Sequence, residues 1–288
     1  MTGRRGLKRI ALAAGAVDRR VRRSRPRAVG LCYHSVHADK PFATAEPVMF
    51  ERQIAWLTEH CEVLPLTAET IRAAREPRHD RPVVFLTFDD GYDDNHEVVL
   101  PILLRYGITA SFYLTTGFID RDAQTLARFR RERACGDELL RPLSWTQIQE
   151  LHSAGMVVGA HGHTHANLAT LDPTAVRMEL QTSRAVIEDR LGVAVTTMAY
   201  PYGKPRVHFN ERTMTLARDT GYDVAAAVTS RGVRPADSDM RIPRFFVARD
   251  DVATLRDKVE GTFDVISVWQ EFAPRPLLQA MSPLDFSH

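Results

Sequence analysis

From residue 28 onward, short apolar runs alternate with longer stretches whose apolar residues recur every three or four positions. That alternation predicts strands and helices in turn. Residues 29–33 form the first predicted strand, and residues 50–60 a helix with Phe50, Ile54 and Leu57 on one face. Residues 83–88 are continuously apolar and β-branched, the composition of a central strand covered on both faces. A helix over 95–106 ends at Gly107, with Asp93 and Asp94 placed before its positive N-terminal end. Ser144 with Gln147 makes a capping box, so a helix opens there, runs through His152 and stops at Gly155, with Trp145 packing its start. Further strands are predicted over 111–114, 156–160, 195–200, 224–228 and 245–247, and further helices over 176–191 and 213–220. About seven strands interleaved with helices predict an α/β barrel or a barrel-like variant. Residues 120–141 break the rhythm with many charges and little apolar periodicity, and are expected to form an inserted excursion over the surface.

Composition narrows this picture. Hydrophobic residues at 44% and charged residues at 26% are ordinary globular values, which excludes a largely unfolded chain. The net charge of +2 hides an asymmetry, because residues 1–27 carry ten Lys or Arg against the single acid Asp18. The expected organisation is therefore a basic arm over 1–27, one catalytic domain over 28–262 and a tail over 263–288. The arm's apolar patch over 10–17 falls short of the roughly 20 residues that span a bilayer, and Asp18-Arg19-Arg20 interrupts it, so no transmembrane anchor is expected. The favoured reading is a solvated arm on a cytoplasmic protein. Attraction to an anionic membrane surface and a secretory signal are the competing readings, and no nucleic-acid partner is expected. Cys32, Cys61 and Cys135 include no C-x-x-C pair, so neither a disulfide framework nor a thiolate zinc site is indicated.

Three polar clusters fall just after predicted strands, where α/β barrels place their active sites. Thr87-Phe88-Asp89-Asp90-Gly91 puts two carboxylates behind an apolar strand, although an Asp-Gly turn alone accounts for the pattern. Its acids do not alternate as an EF-hand requires. His161-Gly162-His163-Thr164-His165 gathers three imidazoles in five residues, a density that suits zinc or a neighbouring divalent metal. The H-x-H of amidohydrolase barrels fits poorly, since only His208 and His288 follow. Ala199-Tyr200-Pro201-Tyr202-Gly203 taken alone is a rigid Pro-Gly turn.

In this order the three motifs resemble the NodB-type polysaccharide deacetylases, family 4 of the carbohydrate esterases, over roughly residues 28–250. The resemblance implies a distorted (β/α)7-type barrel and a divalent metal, zinc first, with cobalt, nickel or manganese as alternatives. Asp90, His161 and His165 would be its ligands, Asp89 the general base, and the Tyr202 N–H an oxyanion donor that also meets substrate. His163 would be a loop residue. The commonest family pattern supplies the general acid from a C-terminal His, which is absent here apart from His288. Leu31-Cys32-Tyr33-His34 instead resembles circularly permuted members, which makes His34 the expected acid and Tyr33 a substrate-binding residue. Gly162 replaces the usual Ser or Thr, and Ala199 stands where many members place an Arg. Arg244 is the expected replacement for that guanidinium, reaching Asp89 from a neighbouring strand. The implied activity is hydrolysis of the N-acetyl group of amino sugars in a glycan or glycolipid. The alternatives are an amidase for small nitrogen compounds and a catalytically silent carbohydrate-binding protein.

Overall fold

The computed structural model describes residues 27–76, 79–264 and 267. The basic arm apart from Arg27, and most of the tail, lie outside the described residues. Arg27 pairs with Asp264 at 2.9 Å and Phe263 is buried in the core, so both ends of the described domain meet.

Seven parallel strands close a barrel: β1 (Ala28–Tyr33), β3 (Val83–Asp90), β4 (Ser111–Leu114), β5 (Val157–Ala160), β6 (Thr197–Ala199), β7 (Val224–Val228) and β8 (Ile242–Phe246). The ring closes because β1 pairs with β8 on one side and with β3 on the other. A short strand, β2 (Glu62–Leu64), shares an edge of β3 with β4: β3 pairs first with β2 over Val83–Phe85, then with β4 over Thr87–Asp90. Three residues are too few to show an alternation, which is why no strand is predicted there.

Helices form the outer layer. Two begin earlier than their periodicity indicates, because proline opens them. The helix α1 (Pro47–His60) starts at such a proline, and α7 (Pro173–Leu191) starts at one behind an Asp172 cap. The 95–106 helix is two pieces, a π-helical stretch over Asn95–Val99 and then α3 (Leu100–Arg105). Pro101 offers no N–H to Glu97 and its ring crowds that carbonyl, so the Leu100 N–H reaches back to Asn95 instead. Asp93 and Asp94 make no cap. They are buried, each accepting from the Lys40 ammonium at 2.8 Å, and Asp94 also binds Ser35 and the Val36 N–H. The remaining helices are α2 (Ala68–Arg75), α4 (Thr116–Ile119), α5 (Ala123–Arg133), α6 (Trp145–Ser153), α7 (Pro173–Leu191), α8 (Glu211–Thr220) and α9 (Val252–Glu260).

Strand alternation divides the core. On β1 and β3, Val29, Leu31, Tyr33, Val84, Leu86 and Phe88 pack outward under the helices. Ala28, Val83 and Phe85 face the barrel interior with Tyr113, Ala199, Val224, Ala226 and Ile242. The same parity carries Cys32, Thr87, Asp89 and Arg244 inward above that apolar floor.

The 120–141 excursion lies over the surface, as expected, and is built around the helix α5. Asp122 caps α5, and Phe129 stacks on Phe118 with ring centroids 4.3 Å apart. Phe118, Phe129, Tyr92 and Leu140 make a separate small core. Its apolar periodicity is weak because the site-facing positions carry charges.

Candidate active site

Asp89 and Asp90 are both buried at the C-terminal end of β3. Regular alternation points adjacent side chains to opposite faces, yet both carboxylates approach His161 Nε2, at 4.0 and 3.6 Å. Asp90 achieves this with a left-handed φ of 77°, a conformation that costs a residue with a side chain about 1–3 kcal/mol. His165 and Tyr202 are also left-handed, at φ 57° and 60°.

The two carboxylates have opposite surroundings. Asp89 is gripped by Arg244, whose guanidinium donates to Oδ1 at 2.8 Å and to Oδ2 at 2.7 Å. The Arg244 side chain is wholly buried and also donates to Thr87 Oγ1 at 2.7 Å. Room for it comes from Gly30, its register partner on β1, where an added Cβ would lie 2.6 Å from Arg244 Cγ and 2.7 Å from the Pro243 carbonyl. Burial pushes the Asp89 carboxyl upward, but Arg244, helped by His161, outweighs it and holds the value at about 2. Cys32 Sγ donates to Asp89 Oδ2 at 3.2 Å, and burial raises that thiol well above its ordinary range.

Asp90 instead has one oxygen engaged and one free. Arg133 donates to Oδ2 at 2.6 Å, while the buried Oδ1 has no hydrogen-bond partner. That oxygen faces His161 Nε2 and His165 Nε2 at 3.6 and 3.5 Å. Each imidazole uses its other nitrogen elsewhere, His161 Nδ1 on the Ala199 carbonyl at 2.9 Å and His165 Nδ1 on Glu132 Oε2 at 3.1 Å. Both Nε2 lone pairs are thereby free to meet a cation beside Oδ1. An orphaned buried carboxylate oxygen is costly, and with two imidazoles it is a donor set that a divalent metal satisfies. Cys32, His34 and Asp89 also cluster, with ligand atoms within 4.8 Å of one another. The Arg244 fork on both Asp89 oxygens and the protonated thiol make that group a poor metal site.

The expected residues thus assemble, with one exception. His34 lies half-buried at the end of β1 against Phe246, and burial lowers it to about 4 despite the opposing pull of Asp90 and Asp89. The Tyr202 N–H has no acceptor among the described residues, and the phenol donates to Glu132 and, at 3.2 Å, to the His165 carbonyl. Tyr33 is corrected: it is wholly buried, faces outward between Phe50 and Phe88, and donates to Gln53 at 2.9 Å. Parity explains this, since Cys32, one residue earlier, faces the site. His163 bonds Thr116 at 2.9 Å from within the loop. Gly162 has a φ of 74°, which suits a residue without Cβ.

Four participants escaped sequence reasoning: Cys32, Glu132, Arg133 and Glu179. Glu179, on α7, braces the histidine loop by accepting from the His163 and Thr164 N–H groups at 2.9 Å each. Parity along β1 was a usable signal for Cys32; no local pattern marks the others.

The sequence profile of the polysaccharide deacetylase family matches residues 76–225. YxkH of Bacillus subtilis (strain 168) is 24% identical over 211 residues, spanning 73% of this chain and 67% of that protein. A poly-beta-1,6-N-acetyl-D-glucosamine N-deacetylase of Staphylococcus aureus (strain MRSA252) is 22% identical over 221 residues, or 74% and 70% of the two chains. Among solved structures, the Streptococcus pyogenes deacetylase PplD superposes with a TM-score of 0.67 at 21% identity, covering 82% of this chain and 99% of the other. IcaB from Ammonifex degensii gives 0.65 at 23%, covering 82% and 98%. At these identities the two structures speak to the fold.

Proposed function

The chain belongs to the polysaccharide deacetylase family, and on that premise we propose that it hydrolyses the N-acetyl amide of an amino sugar within a glycan or glycolipid, releasing acetate. The observation that carries the reading is the division of labour between adjacent carboxylates. Asp90 offers an unpartnered oxygen beside two imidazole nitrogens, whereas Asp89 is ionised, oriented and not spent as a ligand. Asp90, His161 and His165 would hold a divalent metal, zinc being the first choice, with cobalt, nickel or manganese as alternatives. When bound, such a cation supplies Lewis acidity toward the acetyl carbonyl and the attacking water.

The chain's own residues do the rest. Asp89, fixed by the Arg244 fork, takes the proton of the attacking water. The Tyr202 N–H donates to the oxygen that becomes negative as the carbonyl carbon turns tetrahedral. Burial leaves His34 neutral at rest. Its ring nitrogen lies within 4.8 Å of an Asp89 oxygen, so the proton gained there has a short path to the leaving nitrogen, and acetate and a free amine result.

The test is acetate release by the purified, metal-loaded protein from a panel of N-acetylated amino-sugar oligomers and small amides, with and without a chelator. Release from the sugars alone, abolished by the chelator and restored by zinc, is expected. Turnover of small amides only, or undiminished turnover in chelator, overturns the reading. A cytoplasmic location, with residues 1–27 kept as an uncleaved, solvated arm, is likewise proposed from the arm's charge and its interrupted apolar patch; no described helix is long and apolar enough to cross a membrane. Recovery of only a trimmed, exported form from the native cell refutes it.

A further inference from the structure

Resting on that metal-site reading, we propose that Glu132 is a positioning residue whose two carboxylate oxygens tie the ligand His165 to the Tyr202 loop, making the 120–141 excursion a working part of the metal site. The two imidazoles are oriented by different devices. His161 gives its Nδ1 hydrogen to the Ala199 backbone carbonyl, an acceptor that does not depend on the side chain there. His165 relies on a side chain: Glu132 Oε2 lies 3.1 Å from Nδ1, and a carboxylate only accepts, so the hydrogen sits on Nδ1 and the Nε2 lone pair faces Asp90 Oδ1 at 3.5 Å. The other oxygen, Oε1, accepts from the Tyr202 hydroxyl, whose ring lies 4.5 Å from the His165 ring. One carboxylate therefore touches both a candidate ligand and the loop that presents the Tyr202 N–H.

The scaffold behind Glu132 is rigid enough for that role. Asp122 caps α5, accepting from the Thr125 N–H at 2.8 Å and from its hydroxyl at 2.9 Å. Phe129 anchors the helix on Phe118 and also lies 5.1 Å from the His165 ring. The neighbouring Arg133 grips Asp90 Oδ2 at 2.6 Å and the Tyr92 hydroxyl at 2.9 Å. A site built on a helix held at both ends positions its groups better than one on a free loop.

The experiment uses the full-length protein stripped of metal and titrated with zinc alone against a competing chelating dye, with cobalt absorption spectra as a second readout. Removing a partner of this kind costs about 10- to 100-fold in metal affinity, so Glu132→Ala is expected to bind zinc that much more weakly and to shift the cobalt bands. Tyr202→Phe removes the hydroxyl's contacts with Glu132 and with the His165 carbonyl but leaves the Glu132 bond to His165 Nδ1 in place; it is expected to bind zinc as the wild type does while kcat falls by about 10-fold. Unfolding midpoints of the metal-free proteins report whether each variant is folded. If the alanine variant is not folded, Glu132→Asp, too short to bridge both partners, takes its place with the same expected direction. A folded Glu132 variant with wild-type zinc affinity and an unshifted cobalt spectrum overturns the inference. A wild type that takes up no zinc overturns the metal-site reading beneath it as well.

Discussion

Replacing Arg244 tests whether the buried fork is what keeps Asp89 ionised and aimed. The guanidinium makes four hydrogen bonds: two to Asp89 and one to Thr87, at 2.7 to 2.8 Å, and a longer one from Nε to the Ala227 carbonyl at 3.4 Å. Bonds to charged groups contribute about 1.5–3 kcal/mol each, and the ammonium of Arg244→Lys cannot reproduce both arms of the fork. Losing one arm in the transition state lowers kcat by about 10- to 150-fold with metal retained. Arg244→Met goes further, leaving a buried carboxylate without its partner, a change of about 3–5 kcal/mol at pH 7. The pH dependence separates this from general damage. In the wild type the Asp89 value is depressed from 3.8 to about 2, so its contribution, roughly 2 kcal/mol, is fully present above pH 4 and is lost as the pH falls through about 2. In Arg244→Met burial dominates, the folded-state value rises above the unfolded one, and acid relieves the penalty. Urea denaturation of the metal-free proteins between pH 3.5 and 7 should therefore show the gap between wild type and Arg244→Met narrowing as the pH falls. A gap independent of pH, or an Arg244→Lys enzyme with unchanged kcat and an unmoved acid limb, refutes the reasoning.

Three further outcomes follow from the same geometry. Gly30→Ala places a Cβ against Arg244 and the Pro243 carbonyl, so overpacking should destabilise the protein by about 1–3 kcal/mol and lower kcat through Arg244; equilibrium denaturation and acetate release check both. His34→Ala should lose about 10²- to 10⁴-fold in kcat with unchanged metal content, and normal turnover would remove His34 from the proton path. Burial raises the Cys32 thiol well above its ordinary range and Cys61 to about 12, while Cys135 is half-buried, so native-state alkylation followed by mass spectrometry should label Cys135 first.

What was legible in the sequence was local. The apolar run of β3 and the acids behind it, the histidine cluster behind β5 and the Pro-Tyr-Gly turn behind β6 are each contiguous, and strand-to-loop order alone brings them to one end of a barrel. Arg244 could be anticipated only through a missing guanidinium elsewhere, since nothing local marks a buried arginine 155 positions away from Asp89. Tyr33 departs from the expectation for a strand-end Tyr-His pair because alternation sends one of the two outward. The part the excursion plays at the site is not legible, because what Glu132 and Arg133 touch depends on partners far along the chain. A helix whose inward face is charged has the composition of a solvated one.

The excursion also explains how the strained backbone persists. Each of the three motif loops carries one left-handed residue with a side chain, Asp90, His165 and Tyr202, and such conformations last only where the surroundings over-determine them. All three are held by adjacent residues of α5: Arg133 on Asp90, Glu132 on His165 and on Tyr202. A turn of one helix thus restrains three loops that come from three different strands. The loops cannot relax independently, because releasing any one of them leaves a buried carboxylate or guanidinium short of a partner. The geometry of the site therefore depends on the Phe118–Phe129 stack that seats α5, packing that touches none of the reacting groups.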